Sequence, residues 1–73
     1  SAVKKVTEDA IKIYRSENSI VLSETANVEV FSYDGKKMYA GHTNNIDVTN
    51  LSKGLYIVKA AGKSGNTLKK IVI

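Results

Sequence analysis

The feature that most limits the fold is a pair of apolar segments, Gly54-Leu55-Tyr56-Ile57-Val58-Lys59-Ala60-Ala61 and Leu68-Lys69-Lys70-Ile71-Val72-Ile73. Each is short and rich in β-branched residues, and Gly62-Lys63-Ser64-Gly65-Asn66 between them is a polar turn. Together they read as two strands of one sheet. The first is apolar on both faces at its start, which suits a strand flanked by neighbours on either side. The second runs into Ile-Val-Ile with no polar tail, although most domains fray at their ends. A chain that stops inside its own sheet makes that end a candidate for function.

The same two-residue period continues upstream. Ile11 and Ile13 alternate with Lys12 and Tyr14, a turn falls over Ser16-Glu17-Asn18, and Ile20 and Leu22 resume the pattern. Pairing Ile13 with Ile20 and Ile11 with Leu22 puts all four on one side of the sheet.

The clearest hairpin signal is Tyr33-Asp34-Gly35, for which two turns compete. A two-residue Asp34-Gly35 turn sets Glu29 among apolar partners. A three-residue loop with left-handed Gly35 instead pairs Val30 with Met38 and Val28 with Ala40, so we favour it. That register turns Phe31 and Tyr39 outward.

Residues 41–44 then read as a loop, Asn45 to Val48 as a strand with Ile46 and Val48 inward, and Thr49 to Lys53 as a connection with Leu51 tucked into the core. On the penultimate strand Tyr56, Val58 and Ala60 face inward. About seven short strands, mostly antiparallel, with turns every 8–12 residues indicate an all-β sandwich over residues 10–73. Residues 1–9 are charged and aperiodic and read as a linker, although Thr7-Glu8-Asp9 could cap a short helix.

At 73 residues the chain is one small domain. A domain of this size buries only about 60% of its unfolded surface, so its margin is thin. Without Cys, neither disulfides nor a thiolate zinc site can brace it. No apolar run reaches the roughly 20 residues of a membrane span, so direct membrane insertion is not expected. Ser1 to Lys5 lacks the apolar core of a signal peptide, and the missing initiator Met suggests a fragment of a longer protein.

The net charge of +4 comes from 11 Lys and Arg against 7 Asp and Glu, and Arg15 is the one arginine. The lysines are scattered, whereas nucleic-acid surfaces cluster basic residues and favour arginine, so no nucleic-acid partner is expected.

Material for catalysis is sparse. His42 could be a general base only with an orienting carboxylate such as Asp34 or Asp47. It stands in a polar stretch with no nucleophile elbow, and an exposed loop histidine is the plainer reading. One His among scattered acids makes no metal site, and Gly62-Lys63-Ser64-Gly65 precedes no helix and cradles no phosphate. Neither cofactor nor metal nor catalytic residue is expected. Phe31 and Tyr39, turned outward, could stack on sugar rings, which keeps a carbohydrate-binding or adhesive accessory domain of a secreted protein as the alternative function. Lys69 and Lys70, on physical grounds alone, read as charged gatekeepers of an edge strand.

Three segments carry a family resemblance. Val28-Glu29-Val30-Phe31-Ser32-Tyr33-Asp34-Gly35-Lys36-Lys37-Met38 resembles the hairpin segment of the C-terminal sorting domains of the type IX (Por) secretion system. Leu51-Ser52-Lys53-Gly54-Leu55-Tyr56-Ile57-Val58-Lys59 resembles their L-x-x-G-V/L-Y-I-V-K segment. Lys69-Lys70-Ile71-Val72-Ile73 is similar to their closing run of two lysines and three apolar residues. The likeness covers about residues 10–73, and the order and spacing of the three segments make it specific. Ser32 stands where the family has Asp or Asn, Lys36 where it has Arg, and its Pro-containing N-terminal segment is absent.

The resemblance implies an immunoglobulin-like β-sandwich with no catalysis of its own. Such a domain directs a Gram-negative cargo protein from the periplasm through an outer-membrane translocon. A sortase-like peptidase then removes it as cargo is anchored at the cell surface or released. The recognised end would be Lys69, Lys70, Ile71, Val72 and Ile73, with Gly35, Gly54 and Tyr56 as structural supports. Gly35 and Gly54 are expected where a side chain would not fit. A homodimer through edge strands is a further partner that so small a sandwich admits.

Overall fold

A computed structural model describes residues 10–73; the linker and helix cap expected within residues 1–9 lie outside the described residues. The described residues are all-β, with β1 Ile13–Ser16, β2 Ser19–Ser32, β3 Lys37–Asp47, β4 Leu55–Gly62 and β5 Gly65–Val72. Every strand pairing is antiparallel. The strand path is β1-β2-β4-β5, with β3 on the other side of β2. β4 is therefore flanked by β2 and β5, as its apolar start implied.

Five strands stand where seven short ones were expected, because two pairs are fused. β2 absorbs the Ile20–Leu22 and Val28–Phe31 strands into one run of 14 residues. β3 likewise runs through residues 41–44, where a loop was expected. The seam in both is one irregularity: between the pairs Val21–Asn45 and Ala26–Thr43, β2 carries four intervening residues and β3 carries only Asn44. There β2 bends and changes partner, pairing with β1 at residues 19–22 and with β4 at residues 27–32. A bulge of this kind bends a strand without ending it.

The sheet closes back on itself. β1 and β5 are at opposite ends of the path, yet the Ile11 amide donates to Thr67 Oγ1 at 2.9 Å and Lys69 Nζ donates to the Ile13 carbonyl at 2.7 Å. Inside lie Ile11, Ile13, Ile20, Leu22, Ala26 and Val28, with Val30, Ile46, Val48, Tyr56, Val58, Ala60 and Ile71 completing the core. Burying a side chain of the Val or Ile class contributes about 1.5–3 kcal/mol, so this single cluster carries the fold. Leu51 packs against it from the β3–β4 connection, as expected.

Two registers differ from expectation. In the first hairpin Ile13 pairs with Leu22 and Arg15 with Ile20, around a two-residue Glu17-Asn18 turn with Glu17 at φ +52°. The slip of two positions keeps all four apolar residues on one face, since the side-chain period is two. In the second hairpin the three-residue loop is present: the Gly35 amide donates to Ser32 O at 2.9 Å, the Ser32 amide to Lys36 O at 2.8 Å, and Gly35 has φ +93°. A second bulge follows immediately, because Phe31 pairs with Lys37 but Val30 with Tyr39. Met38 is the extra residue, so Val30 meets Tyr39 and Val28 meets Gly41 instead of Met38 and Ala40. Met38 and Ala40 are consequently exposed, and Tyr39 packs against the core.

Candidate functional site

The first of the expected supports work through the backbone. Gly35 and Gly54 have φ of +93° and +152°, and a Cβ built on either would meet nothing within 4 Å. The expectation that a side chain would not fit is therefore corrected: space is available, and the left-handed backbone is what favours glycine. Tyr56 is buried, and its hydroxyl donates to the Ser52 carbonyl at 2.7 Å. It fastens the β3–β4 connection to the start of β4, in the manner of the tyrosine corner of immunoglobulin-like domains.

The five residues proposed as the recognised end divide between the two faces and the rim of β5. The Gly54 amide donates to Ile73 O at 2.9 Å and the Ile73 amide to Gly54 O at 2.8 Å. In an antiparallel ladder such doubly bonded pairs alternate with unbonded ones. Tyr56–Ile71 and Val58–Lys69 are thus the next bonded pairs in the observed register. Their alternation leaves the backbone N–H and C=O of Leu68, Lys70 and Val72 pointing away from β4. No strand pairs with that side of β5 among the described residues.

Side chains follow the same alternation. Ile71 is buried, Ile73 packs against the core, and Lys69 reaches across to β1. Leu68 and Val72 are 64% and 68% exposed, and Lys70 between them is also exposed. The two lysines, expected as a matched pair of gatekeepers, are different devices. Lys69 closes the rim of β1; Lys70 marks the rim of β5.

Thr67, which falls between the expected turn at residues 62–66 and the expected strand from Leu68, lies within β5. It is buried and accepts the Ile11 amide. Its position two residues before Lys69 and four before Ile71 is the period-two signal that identifies it as inward-facing. The turn itself is only Lys63-Ser64, because Gly62 pairs with Gly65.

Charge is divided unevenly along the chain. All seven carboxylates (Glu8, Asp9, Glu17, Glu24, Glu29, Asp34 and Asp47) precede Val48, while Lys53, Lys59, Lys63, Lys69 and Lys70 follow it. Glu29 is engaged by Lys37 Nζ at 3.0 Å. Glu24 accepts the Ser64 amide at 3.0 Å and the Ser64 hydroxyl as well, and these bonds, with the nearby Lys63 charge, hold its carboxyl below the usual range. Asp34 is lowered by bonds from the Ser32 hydroxyl and Lys36 amide, and Asp47 by bonds from Thr49. β4 and β5 thus present a cationic edge with no carboxylate of their own.

The other candidates find no constellation. His42 lies in β3, not in a loop, and its Nδ1 is 2.9 Å from Asn27 Oδ1. Asp34 and Asp47, the carboxylates that could have oriented it, are bonded within their own turns. No group of three or more potential metal ligands occurs among the described residues. Phe31 is half-buried and Tyr39 is turned inward, so the aromatic pair imagined for sugar stacking is not assembled. No helix is long and apolar enough to cross a membrane among the described residues.

Comparison with known proteins adds one match. The family model described as a secretion system C-terminal sorting domain matches residues 6–73, nearly the whole chain. No curated protein matches it significantly.

Proposed function

This chain belongs to the C-terminal sorting domain family of type IX secretion, and from that premise we propose that the rim of β5 is the part the export machinery reads. Membership makes the chain a sorting signal that engages that machinery and directs export to the outer membrane, cell surface or extracellular space. The finer steps are our proposal. The folded domain crosses the periplasm with its cargo, the translocon engages the Lys69–Ile73 segment through its outward residues Lys70 and Val72, and a sortase-like peptidase removes the domain as cargo is anchored. The domain supplies recognition and the partner supplies the chemistry.

The observation that carries this reading is the backbone of Leu68, Lys70 and Val72, unpaired among the described residues, beside exposed apolar side chains. Sheet edges usually discourage contact, and a regular edge rimmed by Leu and Val invites strand addition. The test is a passive reporter placed between a signal peptide and residues 1–73 in a host with type IX machinery. Export is expected with the native sequence and is expected to fall with Lys70→Ala, a substitution at an exposed site that leaves melting unchanged. Full export of a normally folded Lys70→Ala fusion would remove β5 from the recognised surface.

A further inference from the structure

The chemistry of the β5 rim specifies more than a free edge. β5 pairs with β4 over eight consecutive residues with no register shift, whereas β3, which among the described residues also pairs on one side alone, is broken by two bulges. A straight, regular edge is the better template for another strand. Its outward row reads Leu68, Lys70, Val72: apolar, cationic, apolar. Behind that row stand Lys59, Ile57 and Leu55 of β4, directly paired with the same three residues. Glu29 of β2 stands opposite Lys59, whereas the residue paired with Lys70 is Ile57, so a strand added here would extend a face on which Lys70 has no carboxylate opposite it.

A second copy of the chain is a poor occupant. Two β5 rims meeting antiparallel about Lys70 would match Leu68 with Val72 twice, yet set Lys70 against Lys70. Like charges directly opposite one another destabilise a strand pair.

We infer that the β5 rim receives an extended partner segment with an aspartate or glutamate at its centre, flanked two residues away on each side by apolar residues. The acid sits opposite Lys70 and the apolar residues cover Leu68 and Val72, while the backbone bonds of the added strand satisfy the three positions that are unpaired among the described residues. This inference rests on the sorting reading above and names the chemistry of the partner at the same site. The charge on Lys70 then excludes self-pairing and selects the partner at once.

The test uses the 73-residue chain and two synthetic peptides. Both alternate threonine with valine, glutamate and valine in turn, and the second carries lysine for glutamate. Binding of the glutamate peptide is expected, with new hydrogen-exchange protection at the amides of Leu68, Lys70 and Val72. The lysine peptide should bind about tenfold more weakly, and Lys70→Glu should reverse the preference. Equal binding of the two peptides, no binding of either, or protection confined to β3 would overturn the inference. So would dimerisation through β5, or amides already protected in the free chain and released when residues 1–9 are removed. The reporter assay separates this result from the broader reading. Peptide binding with normal export of Lys70→Glu would sink the sorting role of the rim alone; lost export without peptide binding would sink the acidic-strand partner alone.

Discussion

Lys69 Nζ donates to the backbone carbonyl of Ile13 across 2.7 Å, joining strands whose residues are separated by 56 positions. With the bond from the Ile11 amide to Thr67 Oγ1, it ties the start of β1 and the segment just before it to β5. A lysine beside an edge usually repels other strands; this one occupies its own domain's edge. Among the described residues the neighbouring Lys70, which is exposed, makes no such contact.

Lys69→Ala and Lys70→Ala should therefore differ in stability. Both lysines are exposed, but Lys69 alone donates to the part-buried Ile13 carbonyl; losing that bond costs about 1 kcal/mol, whereas an exposed substitution without such a bond stays within about 0.5 kcal/mol. Urea denaturation of the two variants measures the difference. Equal midpoints would mean that the Lys69 bond contributes nothing.

Gly35→Val should be more harmful than Asp34→Ala. A β-branched residue at φ +93° is strained by roughly 1–2 kcal/mol or more. Asp34 contributes only exposed bonds within the turn. Equal melting temperatures would remove the case for a left-handed backbone requirement at residue 35.

How far the sequence reached can be judged from these same positions. Period-two alternation identified nearly every inward residue of β1, β2 and β4, because one buried face leaves a direct imprint on the sequence. It did not reveal the bulge at Met38, since an extra residue changes parity without changing composition, and Tyr39 consequently exchanged faces with it. Nor could it reveal that β2 and β3 run unbroken through the bend near Asn44, because the polar residues there resemble a loop. The division of labour between Lys69 and Lys70 depends on β1 lying over β5. That is a tertiary relation, and adjacent identical residues carry no trace of it.

Tyr56→Phe should destabilise by about 1 kcal/mol. The ring still fills the core, but the Ser52 carbonyl loses its donor. Thermal melting checks the size of the effect. A melt identical to that of the native chain would make the hydroxyl bond dispensable.

Acid should weaken the fold. Glu24, Asp34 and Asp47 all have folded-state pKa values lowered by hydrogen bonds to their charged forms. Their stabilisation is fully present above the unfolded pKa values and is lost as pH falls through the lower folded ones. The window is roughly pH 5 down to 3 and below. Glu24→Gln should lower the urea midpoint at pH 7, with the deficit shrinking as pH approaches 3. A deficit constant across that range would show that the charge of Glu24 is immaterial.

The clasp between β1 and β5 also fixes when this domain can fold during its synthesis. Ile11 and Ile13 leave the ribosome well before the residues that secure their strand, since Thr67 and Lys69 each follow 56 positions behind their partners. No nascent chain lacking β5 can complete the enclosure, so the fold is finished only after nearly all of its residues have emerged. Contacts this distant in sequence also slow closure, because the intervening chain must be ordered before they form. The domain therefore stays open along β1 until β5 has been made and has joined the sheet.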